Sequence, residues 1–111
     1  MIDIPGSVRI GGHTYTIDSS EDARQELQSR EERGSFDFDR LLIRIDPTLP
    51  SSAAAETLLH EILHAAWNHS SLPASGDEDH VSEEVAVSSL AFVLHQILVD
   101  NPEVALFIRG L

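Results

Sequence analysis

The sequence predicts a small α+β domain in which an antiparallel sheet of three or four short strands packs on two long helices. The first half of the chain alternates apolar and polar side chains in short runs separated by turn residues, as strands do. Two later segments, from Ser51 to about Trp67 and from about His80 to Val99, have helical spacing. With 111 residues the chain suffices for a single core, so we expect one domain over residues 1–111.

The net charge of −12 and the absence of cysteine limit the function classes. A strongly acidic surface repels nucleic-acid phosphates, so we expect no nucleic-acid partner. Without cysteine the chain forms neither a disulfide nor a thiolate metal site. The N-terminus lacks a basic stretch followed by an apolar one, and the most apolar window, Val85 to Leu94, is too short to span a bilayer. We therefore expect a soluble, cytoplasmic protein with no membrane partner.

Two pairs of short strands are predicted before the first helix. Gly11-Gly12 can take the positive φ angles of a tight turn and separates the first pair. Asp39-Arg40 separates the second pair, in which the later strand, from Leu41 to Asp46, alternates as a strand with one face on a core. If that strand lies at the edge of the sheet, its free backbone groups can hold an extended peptide.

The segment between these two strand pairs is polar and charged. Residues from Ser20 to Arg33 fit a solvated helix in which Ala23 and Leu27 are the main apolar side chains. A loop joined to a strand extension fits equally well. In either case we expect a solvated surface rather than a lid over a site.

The motif H-E-x-x-H lies in the first predicted helix, with His60, Glu61 and His64 at its fixed positions. A helix places residues four apart on one face, so both imidazoles can bind a single Zn²⁺. Glu61 is rotated to the flank, where it can reach a water bound to the ion. The two histidines lie away from the aliphatic face of the helix. This pattern predicts a zinc centre with Glu61 as general base.

The second helix is expected to supply the third metal ligand. Four polar residues share one narrow stripe of that helix: Ser82, Ser89, Gln96 and Asp100. Taking this stripe as the solvent face, Glu84 points inward and Glu83 lies on the flank. An inward carboxylate is costly without a partner, and a zinc ion is such a partner. Glu84 is therefore the predicted ligand, with Glu83 as the alternative if the helix is rotated and His80 as a second alternative.

The other histidines are not expected to bind the metal. His13 follows a turn and His69 is expected in a loop just past the first helix, both as surface residues. His95 is expected to be buried and hydrogen-bonded. The tail from Glu103 to Ile108 is expected to form a short apolar helical segment that packs back on the core.

His60-Glu61-x-x-His64, followed twenty residues later by Glu84, resembles the gluzincin arrangement of zinc peptidases. The small size of the chain resembles the minimal members called minigluzincins. The order of hairpin, strand, H-E-x-x-H helix and glutamate helix is also similar to ImmA/IrrE-type metallopeptidase domains. Val85 stands where those domains usually have Ala, so their regulatory substrates are not carried over to this chain.

A closer resemblance is to a group of small phage and prophage proteins described as metallopeptidases. Four segments share it: residues 43–47, 56–65, 83–85 and 100–103. The resemblance covers most of residues 8–108 and leaves out the polar excursion at 18–34. It implies a zinc metalloendopeptidase that acts on a peptide or protein substrate. We also expect a monomer, because the amphipathic helices can bury their apolar faces within one chain.

The predicted reaction is therefore hydrolysis of a peptide bond. His60, His64 and Glu84 would hold Zn²⁺, which acidifies a water and polarises the scissile carbonyl, while Glu61 takes the water's proton and delivers it to the leaving amine. One alternative is a non-proteolytic zinc-binding domain that uses the same ligands. The other is an acidic interaction or regulatory protein of a phage, which presents its negative surface to a basic partner.

Overall fold

The computed structural model describes residues 3–69 and 83–110, and within the second range it leaves out the side chains of residues 83–89, 91 and 92. In these ranges the elements follow in the order β1 (Ser7–Ile10), β2 (His13–Asp18), α1 (Glu21–Ser29), β3 (Gly34–Asp37), β4 (Leu42–Ile45), α2 (Ser51–His69), α3 (Glu83–Asp100) and α4 (Pro102–Arg109). The predicted α+β class is confirmed. The predicted loop after α2 lies outside the described residues.

The strands form one four-stranded sheet in the order β1-β2-β4-β3. β1 and β2 are antiparallel across Gly11 and Gly12, whose φ angles of 60° and 95° fit the predicted turn. β3 and β4 are also antiparallel, but β2 and β4 are parallel, so the sheet is mixed rather than antiparallel throughout. A parallel pair needs a crossover, which α1 and β3 provide here.

β4 is an interior strand, because β2 pairs with one side of it and β3 with the other. The expectation that the segment from Leu41 to Asp46 lies at the edge is therefore wrong. Leu41 itself precedes the strand and has a φ angle of 52°. Within the described residues, β3 lies at the edge of the sheet that contacts α2.

The polar segment after β2 forms a helix, which decides between the two interpretations of its sequence. The Ser20 side chain caps α1 by accepting a hydrogen bond of 3.2 Å from the backbone N–H of Ala23. Ala23 and Leu27 are both buried. Arg44 on β4 lies 3.7 Å from the Glu26 carboxylate, which ties α1 to the sheet. Two apolar residues and a cap therefore suffice to fix this helix.

The core lies between the sheet and the helices that follow it. Leu58, Ile62 and Ala65 are fully buried, as the helical pattern of α2 predicts, whereas His60 and His64 are exposed. The other large apolar members of the core are Val8, Ile10, Tyr15, Ile17, Ile43, Ile45, Ile97, Val104 and Phe107. The sheet thus buries one side of α2 and leaves its histidine side accessible.

His69 lies in the last turn of α2 rather than in a loop. Its Nε2 atom is 2.8 Å from the Tyr15 hydroxyl, and its ring stacks on His13 with 5.0 Å between centroids. A Cβ atom at Gly11 would lie 3.0 Å from the His69 Cβ, so the turn needs glycine for this approach as well as for its φ angle. The expected free surface position is therefore wrong, because the helix extends far enough to contact the hairpin.

α3 ends at Asp100, as predicted, but its rotation about its own axis differs from the prediction. Ile97 is buried, and Leu90 and Val93 pack against the core. Leu98, which lies nearly opposite the predicted solvent stripe and would therefore point inward, is 43% exposed. His95, expected to be buried, is exposed.

The cause of this difference is Gln96, which was assigned to the solvent face. Its side-chain amide accepts a hydrogen bond of 3.1 Å from the Gly11 N–H and donates one of 3.2 Å to the Arg9 carbonyl. The side chain therefore faces the edge of β1. A polar residue that satisfies a strand edge cannot be distinguished from a solvated one by helical periodicity alone.

Asn101, between α3 and α4, continues the coverage of the β1 edge. Its Oδ1 accepts from the Arg9 N–H at 2.8 Å, and its Nδ2 donates to the Arg9 and Ile97 carbonyls at 3.0 and 2.8 Å. The amide thus replaces a neighbouring strand and satisfies backbone groups that β1 would otherwise leave to water.

α4 packs on the core through Val104 and Phe107, as predicted for the tail. No helix in the described ranges is long and apolar enough to cross a membrane.

Replacing Asn101 with Ala should lower the free energy of unfolding by about 1–3 kcal/mol, because three hydrogen bonds are lost at sites that water partly reaches. Asn101→Asp, which keeps the acceptor and loses the donor, should fall between wild type and Asn101→Ala. The matched control is Asn68→Ala, since the Asn68 amide donates to the His64 carbonyl of its own helix and to no other described residue. Urea unfolding of the three variants measures this, and equal losses in the two Ala variants would contradict the role of Asn101.

The contact of His69 with Tyr15 predicts a pH dependence of stability. Burial lowers the pKa of His69, and the charge of the neighbouring His13 acts in the same direction. The unfolded chain therefore takes up a proton at a higher pH than the folded chain does. This contribution to stability is present above the ordinary histidine pKa of about 6.5 and is lost as the pH falls through the folded value.

We expect urea unfolding to show that the wild type loses more stability between pH 7 and pH 5 than His69→Phe does. The phenylalanine keeps a ring at this position but cannot titrate. Subtracting the variant's pH profile from that of the wild type removes the contribution of the carboxylates. A difference of zero, or one of opposite sign, would show that His69 does not prefer its neutral form in the folded protein.

Candidate functional site

The site begins with two imidazoles on the exposed side of α2. His60 and His64 are one helical turn apart, and their Nε2 atoms are 3.1 Å from each other. The ring centroids are 4.7 Å apart and the ring planes are nearly perpendicular, at 79°. The i, i+4 spacing of the motif therefore turns the same nitrogen of each ring toward one point.

The distance between the two nitrogens fits a pair of ligands on one metal ion. In a tetrahedral zinc site with bonds of about 2.0–2.1 Å, two ligand atoms lie about 3.3–3.4 Å apart. The 3.1 Å between the His60 and His64 Nε2 atoms requires only a slightly narrower angle at the ion. The same distance also allows one ring to donate a hydrogen bond to the other. Neutral imidazole is the commonest metal ligand in proteins, so the donor chemistry agrees with the geometry.

Glu61 lies beside this pair and is largely withdrawn from solvent, with 7% of its surface exposed. Burial raises the pKa of Glu61, the charges of His60 and His64 lower it, and the charge of Glu32 raises it. The carboxyl group is thus a stronger base than a solvated glutamate, and its oxygens remain available to a molecule in the adjoining pocket.

The burial of Glu61 depends on Gly34, the first residue of β3. A Cβ atom at position 34 would lie 2.7 Å from the Thr57 Cγ2 atom and 3.3 Å from the Glu61 Oε2 atom. The strand and the helix therefore approach each other at a point where only a hydrogen atom fits. A glycine inside a strand often marks such a close approach.

β3 brings its open edge alongside the histidine pair. Phe36 stacks on His64 with ring planes 10° apart and centroids 6.4 Å apart. The Arg33 carbonyl accepts from the Asp46 N–H, and Ser35 is paired with Arg44 in the same ladder. The alternation of an antiparallel pair then directs the backbone groups of Gly34 and Phe36 away from β4, toward the open edge.

A polar pocket of about 330 Å³ lies between the start of β3 and α2. It is lined by residues 32–34 and by Glu56, Thr57, His60 and Glu61. Three of these side chains are carboxylates and one is an arginine, so the pocket favours a neutral or positively charged group. Its size suits one amino-acid side chain with water, next to the buried carboxylate.

The predicted third ligand lies outside the described side chains. This holds for Glu84, for the alternative Glu83, and for His80, whose backbone is also outside. Among the side chains that the structure describes, no group of three His, Asp or Glu residues is placed to hold a metal ion. The described part of the site therefore supplies two of the three predicted ligands and the predicted base.

Four residues of the site were not singled out from the sequence: Glu32, Gly34, Phe36 and Glu56. A glycine at the start of a strand is the signal that could have identified position 34. No comparable signal exists for the others, because their roles depend on which strand lies next to α2.

Comparison with known proteins adds no relative: no protein-family model matches the chain, and no curated protein or solved structure is significantly similar to it. The geometry of the site is therefore the basis for the functional interpretation that follows.

The contact at Gly34 predicts that Gly34→Ala destabilises the protein by about 1–3 kcal/mol, because the new methyl group overpacks the junction of β3 and α2. Gly6→Ala is the matched control, since a Cβ atom there would meet nothing within 4 Å. Thr57→Ser removes the nearest methyl group and should restore part of the loss in the double variant. Urea unfolding measures all three effects. If Gly34→Ala and Gly6→Ala behave alike, the close approach is not a constraint.

Proposed function

We propose that the protein is a Zn²⁺-dependent metallopeptidase in which His60 and His64 bind the ion and Glu61 is the general base. The main support is one arrangement: two imidazole nitrogens 3.1 Å apart beside a buried carboxylate that opens onto a polar pocket. Two helix histidines alone would not explain the burial of the glutamate between them, since a carboxylate is costly to bury.

The two histidines and Glu61 have different roles in the proposed reaction. A zinc ion held by His60 and His64 would supply Lewis-acid polarisation of a carbonyl group and would acidify a water. Glu61, held against Gly34, accepts a proton from water in the pocket and later donates it to the leaving amine. The burial that raises the pKa of Glu61 suits the first step, because a more basic carboxylate accepts the proton from water more readily.

The substrate would bind as an extended strand along β3. The outward backbone groups of Gly34 and Phe36 can pair with a peptide by strand addition, as at other sheet edges. A peptide in that position passes beside His60 and Glu61, where the bond to be cleaved would lie. β3 therefore takes the role that the sequence interpretation gave to the interior strand β4.

The third ligand is proposed to be a glutamate at the start of α3. Glu84 was preferred on the assumption that Gln96 faces solvent, and that assumption is wrong. An α-helix turns by about 100° per residue, and the buried Ile97 marks the side of α3 that faces the core. Around the helix axis, position 83 lies about 40° from Ile97 and position 84 about 140° from it. The rotation of α3 thus favours Glu83, and Glu84 remains the alternative to be tested against it.

Glu61→Gln should retain zinc and lose cleavage by a factor of about 10²–10⁴, because the amide preserves the size of the side chain but cannot take up the proton. Zinc content is measured by mass spectrometry and cleavage with a peptide library. Glu103→Gln, on the exposed start of α4, is the matched control and should behave as wild type. Undiminished cleavage by Glu61→Gln would refute the mechanism. Zinc binding by the wild type without cleavage of any library peptide would favour the non-proteolytic alternative.

Glu83→Gln and Glu84→Gln should separate the two candidate ligands. Loss of a ligand should weaken zinc binding by about tenfold or more, whereas the same change at the other position should have little effect. Competition with a zinc-chelating dye measures both affinities under the same conditions. If neither change weakens binding, the ligand is not one of these glutamates, and His80→Ala becomes the next variant to measure.

A further inference from the structure

A second and larger cavity, of about 520 Å³, lies between the first half of α2 and the end of α4. Its apolar wall is formed by Ala55, Leu59, Phe107 and Ile108, and Glu56 and Arg109 also line it. The chemistry proposed above uses none of these side chains. The volume lies within the range of pockets that bind organic ligands, and so does the combination of an apolar wall with a few polar groups.

This cavity adjoins the candidate active site. Glu56 lines both the apolar cavity and the polar pocket at Glu61. Glu56 precedes His60 by four residues, which corresponds to about 6 Å along the helix. An extended peptide advances about 3.3 Å per residue, so the same distance corresponds to about two residues of substrate.

We propose that this cavity binds a large apolar side chain of the substrate, aromatic or branched aliphatic, about two residues from the scissile bond. The inference rests on the proposed peptidase function and adds a specificity determinant to it. Ala55 and Leu59 determine how large a side chain enters, since they line the cavity from α2 and are only half-buried. Glu56 separates the apolar cavity from the polar pocket and lies beside the backbone of the bound peptide.

The net charge of the protein favours a peptide over an anionic lipid. Glu56 and Arg109 both line the cavity, so their charges offset each other, and the net charge of −12 disfavours the approach of a fatty-acid carboxylate. An internal segment of a peptide brings no such charge, and its backbone can pair with β3 while one side chain enters the cavity. The polar pocket next to the cavity also suits a peptide backbone better than a hydrocarbon chain.

The test measures binding without cleavage, with Glu61→Gln protein and acetylated hexapeptide amides that carry one Phe at successive positions in an alanine and serine background. In nuclear magnetic resonance titrations, one Phe register should bind at least tenfold more tightly than the peptide without Phe. The tightly bound Phe peptide should also shift the amide signals of Ala55, Leu59 and Phe107. Equal affinity for all peptides, or shifts elsewhere only, would overturn the proposal.

Ala55→Phe, made in the same background, fills the cavity and should abolish the preference for Phe. Ala53→Phe is the matched control, because Ala53 is a half-buried alanine of the same helix that does not line the cavity. Circular dichroism checks that both variants are folded. The preference between peptides with and without Phe in the parent protein decides the proposal even if Ala55→Phe does not fold. Decanoate that shifts the same signals, when no peptide does, would also overturn it.

Failure of this inference can be distinguished from failure of the proposed function. A preference for Phe at the cavity, combined with no zinc-dependent cleavage by the wild type, supports the apolar site and refutes the peptidase. Zinc-dependent cleavage with no preference for an apolar residue supports the peptidase and refutes the apolar site.

Discussion

The close approach of β3 to α2 at Gly34 is the contact on which the candidate site depends. With no Cβ atom at position 34, the strand lies directly against Thr57 and Glu61. This contact withdraws the Glu61 carboxylate from solvent and places the open edge of the sheet beside His60 and His64. A larger residue at position 34 would separate the base from the strand that is proposed to hold the substrate. One glycine thus links the fold to the chemistry.

The site is costly for the folded chain, because burial disfavours the ionised form of Glu61 and raises its pKa. Nearby imidazoles offset part of this cost when they are protonated, and a bound cation would offset more. The core on the other side of α2, with Leu58 and Ile62 fully buried, holds the helix in place independently of the site. A rigid helix with one apolar face and one reactive face can hold such a carboxylate in a fixed position, which a loop would not do.

Local patterns in the sequence predicted the parts of the structure that depend on neighbouring residues. The i, i+4 spacing was enough to predict that His60 and His64 face the same way, and Gly11-Gly12 was enough for the first hairpin. Contacts between distant segments were not predictable in this way. The sequence does not show that β3 rather than β4 lies at the edge, nor that Gln96 faces β1, because both depend on pairing across the fold. The prediction of Glu84 over Glu83 depends on the same assumption about Gln96.

Anomalous diffraction at the zinc edge, from crystals grown with zinc, would show directly whether α2 presents a metal site. We expect one peak about 2.0–2.1 Å from the Nε2 atoms of both His60 and His64, with a carboxylate oxygen from the start of α3 as a further ligand. Zinc bound elsewhere, or not at all, with no peak at these two histidines, would refute the metal site.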